Sequence, residues 1–359
     1  EINKSRTQDI SDQTIIYILS ESLANPNRIS GVNLSMEPLP NIDNIKGSTT
    51  SGLMHSDGYG GGIANMEFQT LTGLPLSNFS ASVSILYSEV APKMLIFPSI
   101  SDSFQNKNRY VMHPSGSSNY NRYNVYKKLG FEHLIFLSDS KEKFKNITKT
   151  GVSMGDDSLY NNVLNKINSK QSQFFSVITM QNHAPWSVAV PTEMTASGQG
   201  FNEDENWKLT EYSRLLTRTD QATQEFLDSL SKIDKKITVV FYGDHLPGLY
   251  PDSAFIEDSS IKYQTDYFIW SNWQNKKLSY PLVNSNDFIA ELFAHTDSKV
   301  SPYYALLTEV LDKVTNSNDR SSKEQESVKH DLKLLQYDIT VGKGYIKKDK
   351  NFFKIQNSQ

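Results

Sequence analysis

Three apolar runs in this chain each stop at ionisable residues, and they constrain the fold more than any other feature. Thr14-Ile15-Ile16-Tyr17-Ile18-Leu19 leads into Ser20-Glu21-Ser22, Phe174-Phe175-Ser176-Val177-Ile178-Thr179-Met180 into Gln181-Asn182-His183, and Ile237-Thr238-Val239-Val240-Phe241-Tyr242 into Gly243-Asp244-His245. None shows the strict alternation of a half-exposed strand, so each reads as a strand buried on both faces, as in the parallel sheet of an α/β protein. In open α/β sheets ligands bind at the carboxyl ends of the strands. Three strand ends carrying a carboxylate or an imidazole therefore mark one edge of the sheet as the functional edge.

Between the second and third runs, Tyr212, Leu215, Leu216, Phe226 and Leu230 recur at helical spacing. They predict a long crossover helix from about Glu205 to Ile233. Lys46 to Gly62 is rich in Ser, Thr and Gly and reads as a loop, followed by a helix beginning near Met66 and ending near Gly73 and Pro75. Asn316 to Ser327 reads as a linker or exposed loop, and Tyr337-Asp338-Ile339-Thr340-Val341 as a strand. The expectation is an α/β fold with a mainly parallel central sheet flanked by helices over residues 1–300, and a small C-terminal α+β lobe over 301–359.

Composition narrows the function. With 36 Lys+Arg against 40 Asp+Glu the net charge is −4, which leaves no polycationic footprint for nucleic acid. The chain has no cysteine, so any metal is held by Asp, Glu and His, and neither disulfides nor thiol nucleophiles are possible. No apolar run approaches the ~20 residues that span a bilayer. Because the chain starts at Glu1 without an initiator Met, we expect a partial or processed chain whose upstream part holds a membrane anchor.

Asp244 and His245, adjacent at a strand end, can both bind one divalent cation, and a carboxylate oxygen with an imidazole nitrogen suits Mn²⁺, Zn²⁺ or Mg²⁺. The bland alternative is a turn with a capping Asp. Glu21 is the candidate third ligand, unless it is simply a loop residue. His183, before Ala184-Pro185-Trp186, suits a rigid loop that sets an imidazole beside a phosphate or sugar, or else a structural hydrogen bond. His113 and Arg122 flank a Ser/Asn/Tyr-rich stretch, and Arg is the usual bidentate partner of a phosphate; a solvated loop Arg is the alternative. Gly58-Tyr59-Gly60-Gly61-Gly62 has neither the final small residue nor the preceding buried strand of a dinucleotide fingerprint. It suits a tight loop at a helix N-terminus, an arrangement that approaches an anion and also serves to present a nucleophile.

Taken in order, these segments resemble the extracellular catalytic domain of the lipoteichoic acid synthase family, within the sulfatase and alkaline-phosphatase superfamily. The resemblance covers most of the chain. It is carried by Ile15 to Ser22, Pro40-Asn41-Ile42-Asp43, Gly61 to Phe68 with Leu71-Thr72-Gly73-Leu74-Pro75, Met112-His113, Tyr120-Asn121-Arg122, Asn182-His183-Ala184-Pro185-Trp186 and Tyr242-Gly243-Asp244-His245. It implies a phosphoglycerol transferase that takes glycerol phosphate from phosphatidylglycerol and delivers it to a glycopolymer acceptor, either lipoteichoic acid or a wall polysaccharide. The implied place is the extracytoplasmic face of the cell membrane. The implied metal is a single divalent cation, Mn²⁺ first with Mg²⁺ or Zn²⁺ possible, on Glu21, Asp244 and His245. His113, Arg122 and His183 would contact the glycerophosphoryl group, and Tyr120 would line the same pocket.

Ile63 departs from the pattern. Relatives carry a threonine there, which ligates the metal and forms a covalent phospho-threonine. Isoleucine keeps the β-branch and offers no oxygen. Three explanations stand: a deliberately disabled variant, a natural pseudoenzyme, or a shifted loop in which Ser56, Thr49 or Thr50 acts. Ile63 is expected to weaken metal affinity and to abolish turnover while head-group binding persists. The competing functions are a non-catalytic glycopolymer-binding pseudoenzyme on the same fold and a phosphodiesterase or sulfatase. Against a sulfatase, no cysteine is present to become formylglycine.

Overall fold

The computed structural model describes residues 1–318 and 322–356. Its first strands are β1 (Thr14–Ser20), β2 (Val32–Leu34), β3 (Thr50–His55), β4 (Arg109–Gly116) and β5 (His133–Ser138). β6 (Lys149–Thr150), β7 (Ser153–Met154), β8 (Phe174–Ile178) and β9 (Ala196–Gly198) follow, then β10 (Ile237–Gly243), β11 (Gln264–Ser271) and β12 (Ser279–Asn284). The helices are α1 (Pro40–Ser48), α2 (Ile63–Thr72), α3 (Leu86–Glu89), α4 (Arg122–Lys128), α5 (Asp156–Lys166), α6 (Glu203–Leu230), α7 (Phe288–His295), α8 (Pro302–Glu309) and α9 (Lys323–Thr340).

Eight strands form one sheet in the order β12-β3-β11-β10-β1-β8-β4-β5. β11 runs antiparallel to both neighbours and every other pairing is parallel. The three apolar runs are the adjacent strands β10, β1 and β8, and their side chains divide by parity. Ile15, Tyr17 and Leu19 enter one apolar layer with Phe174, Ile178, Val240 and Tyr242, whereas Ile16 and Ile18 enter the other with Phe175, Val177, Val239 and Phe241. Both faces of the sheet are thus buried, which is why the sequence shows no alternation. Helices α2, α4, α7, α8 and α9 cover the first face, and α1, α5 and α6 the second. Burying each Ile, Val or Phe here contributes about 1.5–3 kcal/mol.

The predicted crossover helix is α6, 28 residues started by a capping box between Asn202 and Glu205. It returns the chain from β8 to β10 across β1, so three parallel strand ends meet on one edge. Two expectations are corrected. The stretch from Lys46 to Gly62 is not all loop: it holds the end of α1 and the whole of β3. β3 lacks an apolar signature because its fit depends on small size and backbone pairing; a Cβ on Gly52 would lie 2.6 Å from the Tyr280 carbonyl oxygen. The strand expected at Tyr337–Val341 is instead the end of α9, because Val328, Leu332, Leu335 and Ile339 bury at helical spacing and override the local β-preference. Among the described residues none from 302 onward is in a strand, so the C-terminal stretch is helical rather than α+β. Of the expected linker, residues 319–321 lie outside the described residues; α9 already begins at Lys323.

Candidate functional site

At the functional edge, Glu21 follows β1 and Asp244-His245 follow β10, all three buried. Their potential ligand atoms lie within 4.8 Å of one another. Backbone chemistry aims them. Asp244 Oδ1 accepts from the backbone N–H of Ser22 (2.8 Å) and of His245 (2.9 Å), and the Ser22 hydroxyl donates to Glu21 Oε1 (3.0 Å). His245 Nδ1 is 2.7 Å from the Leu246 carbonyl oxygen, which can only accept, so Nδ1 carries the hydrogen and Nε2 is left for a ligand. Glu21 Oε2, Asp244 Oδ2 and His245 Nε2 are buried and make no hydrogen bond to the rest of the protein, and Nε2 lies 3.2 Å from Asp244 Oδ2 and 3.5 Å from Glu21 Oε1. Three such atoms facing one another are costly without an occupant. Two carboxylate oxygens and one imidazole nitrogen fit a divalent cation with a position left open. Burial first, and then the neighbouring charge of Asp244, push the Glu21 carboxyl well above the usual carboxylate range. Ser22 holds the corner at φ 54°, with its carbonyl accepting from the Tyr212 hydroxyl.

The glycine loop sits against this cluster. The Gly60 N–H donates to the Leu246 carbonyl, one residue past His245, at 3.1 Å, and a Cβ on Gly60 would lie 3.1 Å from the Gly248 Cα. Gly62, at φ 99°, is the N-cap of α2, and Ile63 is its first residue, buried. The helix begins three residues earlier than its apolar pattern suggested, because the left-handed Gly62 sets the turn. The alternative nucleophiles are engaged elsewhere. Thr49 donates to the Ile269 carbonyl (2.6 Å) and Thr50 pairs with His295 (2.8 Å), both at the start of β3 and so away from the functional edge. Ser56 is bound to Gly58.

Beside the cluster lie a buried ion pair and a buried histidine. Arg122, the first residue of α4, is fully buried and grips the Glu67 carboxylate: Nη2 is 2.6 Å from Oε2, and Nε is 3.0 and 3.1 Å from the two oxygens. The Tyr126 hydroxyl also donates to Glu67, at 3.1 Å. The Arg122 side chain lies over the Tyr120 ring, 5.3 Å from its centre, and Tyr120 is partly exposed with φ 54° beside Asn121 at φ 63°. Two consecutive left-handed residues are strained conformations of the kind that cluster at functional sites. His113 Nδ1 is 2.9 Å from the Ile178 carbonyl oxygen at the end of β8. Burial first, and then the charge of Arg122, hold the His113 imidazole well below its ordinary pKa, so it is neutral with an accepting Nε2. His183 is half-buried on the loop after β8, its Nδ1 2.7 Å from the Ala184 carbonyl. The field of Arg122 reaches both Glu21 and His113, and that of His183 reaches His113.

β10, β1, β8 and β4 are neighbours in the sheet, so their carboxyl ends bring Asp244-His245, Glu21, His183 and His113 to one edge. Sequence reasoning missed Glu67, to which it gave no role. The available signal was a carboxylate on the apolar face of a helix, at a position that buries.

The sulfatase family profile matches residues 13–298. The chain is 59% identical to the structure of the Streptococcus pyogenes phosphoglycerol transferase GacH in complex with sn-glycerol-1-phosphate, covering 99% of this chain and 93% of that one with a TM-score of 0.97. A likeness in fold extends to the lipoteichoic acid synthase LtaP from Listeria monocytogenes, 17% identical with a TM-score of 0.60 over 83% of this chain and 77% of that one. A putative cyclic beta-1,2-glucan modification protein of Rhizobium meliloti is 26% identical over 95% of the chain. The chain spans 56% of the length of that relative, and 40% of the length of a capsular polysaccharide biosynthesis protein from the same bacterium, which is 27% identical over 64% of the chain.

Proposed function

This chain belongs to the sulfatase family, and from that premise we propose that it is the catalytic domain of a phosphoglycerol transferase, disabled at position 63. Its donor is phosphatidylglycerol, its acceptor a cell-envelope glycopolymer, and its place the outer face of a cell membrane. The observation that carries this reading is the adjacency of two sites on one sheet edge: a dyad of carboxylates with an imidazole whose free atoms converge, and a buried guanidinium beside a neutral histidine. The glycerol phosphate bound by the streptococcal relative supports a glycerophosphoryl group as the moiety handled.

Glu21 Oε2, Asp244 Oδ2 and His245 Nε2 would hold one divalent cation, which we assign as Mn²⁺; when bound it supplies charge stabilisation at phosphoryl oxygens and a lowered pKa for a ligated alcohol. Arg122 faces the phosphate, oriented by Glu67. Neutral His113 cannot donate from Nε2, so it accepts from a hydroxyl of the glycerol rather than binding a phosphate oxygen. His183 and Tyr120 close the pocket. The N-terminus of α2 at Ile63 adds partial positive charge where a phosphoryl oxygen would lie.

With threonine at position 63, the hydroxyl oxygen would bond to phosphorus as the bond to diacylglycerol breaks, and the released alkoxide would take up the proton. An acceptor hydroxyl would then displace the threonine oxygen, restoring its proton. Isoleucine supplies no oxygen for either step. This favours a second reading, a non-catalytic glycopolymer-binding pseudoenzyme on the same fold. Release of diacylglycerol from phosphatidylglycerol with Mn²⁺, compared between this chain and Ile63→Thr, separates the two. Turnover confined to the Ile63→Thr protein supports the disabled transferase. No turnover in either, with sn-glycerol 1-phosphate binding in both, supports the binding module, and equal turnover contradicts the assignment of position 63.

A further inference from the structure

We propose that the C-terminal face of this chain docks on an anionic lipid surface. Helix α9 carries two apolar stripes. One, with Leu332, Leu335 and Ile339, enters the core. The other, Leu334, Tyr337 and Val341 at i, i+3 and i+7, points outward with exposures of 58%, 59% and 72%, and Tyr345 on the following turn is 60% exposed. Together these four line an open groove of about 890 Å³. A contiguous apolar stripe left in water marks an interaction surface rather than scattered surface residues.

The charge of the segment that follows α9 names the partner. Residues 341–356 hold Lys343, Lys347, Lys348, Lys350 and Lys354, all exposed, against the single acid Asp349, although the whole chain carries a net charge of −4. Two acids of α9, Asp331 and Asp338, line the groove together with Lys343; Asp338 is engaged in fixing the turn, accepting from the N–H groups of Tyr345 (2.8 Å) and Ile346 (2.9 Å). An apolar and tyrosine stripe followed by an exposed lysine-rich segment is the composition of a surface seated at the headgroup boundary: apolar groups reach the acyl region, tyrosines sit at the interface, and lysines reach up to phosphates. A second copy fits poorly, because a self-paired face would set two lysine clusters against each other.

A chain of contacts links the surface to α2, the helix that starts at Ile63. Tyr337 and Val341 form one wall of the next groove and Val83 and Val90 the other. The segment between those valines is clasped by Asn65, two residues past Ile63, through the Ser84 carbonyl (2.8 Å) and the Leu86 N–H (2.9 Å). The choice of lipid over an acidic protein rests on the proposed phosphatidylglycerol donor; the stripe and the lysines do not.

The test is co-sedimentation with vesicles of phosphatidylcholine alone and of phosphatidylcholine mixed with phosphatidylserine, an anionic lipid that is not the proposed donor. The chain is compared with Lys347→Glu/Lys348→Glu and Leu334→Ser/Val341→Ser, all exposed positions. We expect roughly ten-fold tighter binding to the anionic vesicles, lost about ten-fold in each double variant and weakened by salt, with sn-glycerol 1-phosphate affinity unchanged. Equal binding to both vesicle types, or parent-like binding by either variant, overturns the proposal. So does a concentration-dependent dimer that Leu334→Ser/Val341→Ser abolishes, which would assign the face to a second copy. Anionic docking that survives while phosphatidylglycerol turnover fails in Ile63→Thr would sink the transferase reading and leave the docking face standing.

Discussion

Glu67 and Arg122 form a buried, bidentate ion pair 2.6 Å apart that joins α2, the helix started by Ile63, to α4, the helix that presents the candidate phosphate ligand. Removing one partner strands a buried charge. Glu67→Gln is therefore expected to cost about 3–5 kcal/mol in denaturant unfolding, and Glu67→Met/Arg122→Met much less. If both variants lose the same stability, the pair is not what orders these helices.

His113 should read glycerol rather than phosphate. Its Nδ1 is committed to Ile178 and its ring is neutral, which leaves one acceptor. His113→Phe is expected to weaken sn-glycerol 1-phosphate binding about ten-fold, the worth of a lost hydrogen bond, while inorganic phosphate binding holds steady. Calorimetric titration of both ligands checks this; equal losses for the two would place His113 on the phosphate.

The three unpartnered ligand atoms predict that Mn²⁺ stabilises the folded chain. At about 100 times the dissociation constant the gain is about 2.7 kcal/mol, read as a rise in melting temperature reversed by a chelator. Asp244→Asn should remove the response. A Mn²⁺ shift that survives this substitution would move the metal to another site.

Asp156 gives a stability profile with pH. It is fully buried at the start of α5, Oδ2 accepts from the Thr219 hydroxyl at 2.6 Å, and Oδ1 has no partner. Burial pushes its carboxyl up to about 7 from 3.8. A folded-state value above the unfolded one means that its contribution is fully present below about pH 4 and is lost as pH rises toward 7. Asp156→Asn, which keeps an acceptor for Thr219, should therefore become progressively more stable than the parent between pH 4 and pH 7. The difference should level off above pH 7 at a few kcal/mol. A difference that does not change with pH would show that Asp156 is ionised in the fold.

Much of this architecture is legible in the sequence. β1, β8 and β10 could be read because a strand buried on both faces leaves an unbroken apolar run, and α6 because one amphipathic helix of 28 residues repeats its pattern many times. β3 was not legible, since Gly52, Ser51 and Thr50 are chosen for close backbone approach and pairing, which leaves no apolar signature. The end of α9 misled because Ile339, Thr340 and Val341 favour strands locally while Leu332 and Leu335 decide otherwise through packing. Within the site, strand-end position and motif order pointed to Glu21, Asp244 and His245. The burial of Arg122 and its clasp by Glu67 depend on contacts 55 residues apart, which no local pattern carries.

The most direct test of the central claim, that residue 63 is where the phosphoryl group would be carried, is peptide mapping by mass spectrometry after incubation with phosphatidylglycerol and Mn²⁺. A glycerophosphoryl adduct is expected at position 63 of Ile63→Thr and none anywhere on the present chain. An adduct on the present chain, at Ser56 or any other residue, would contradict the assignment.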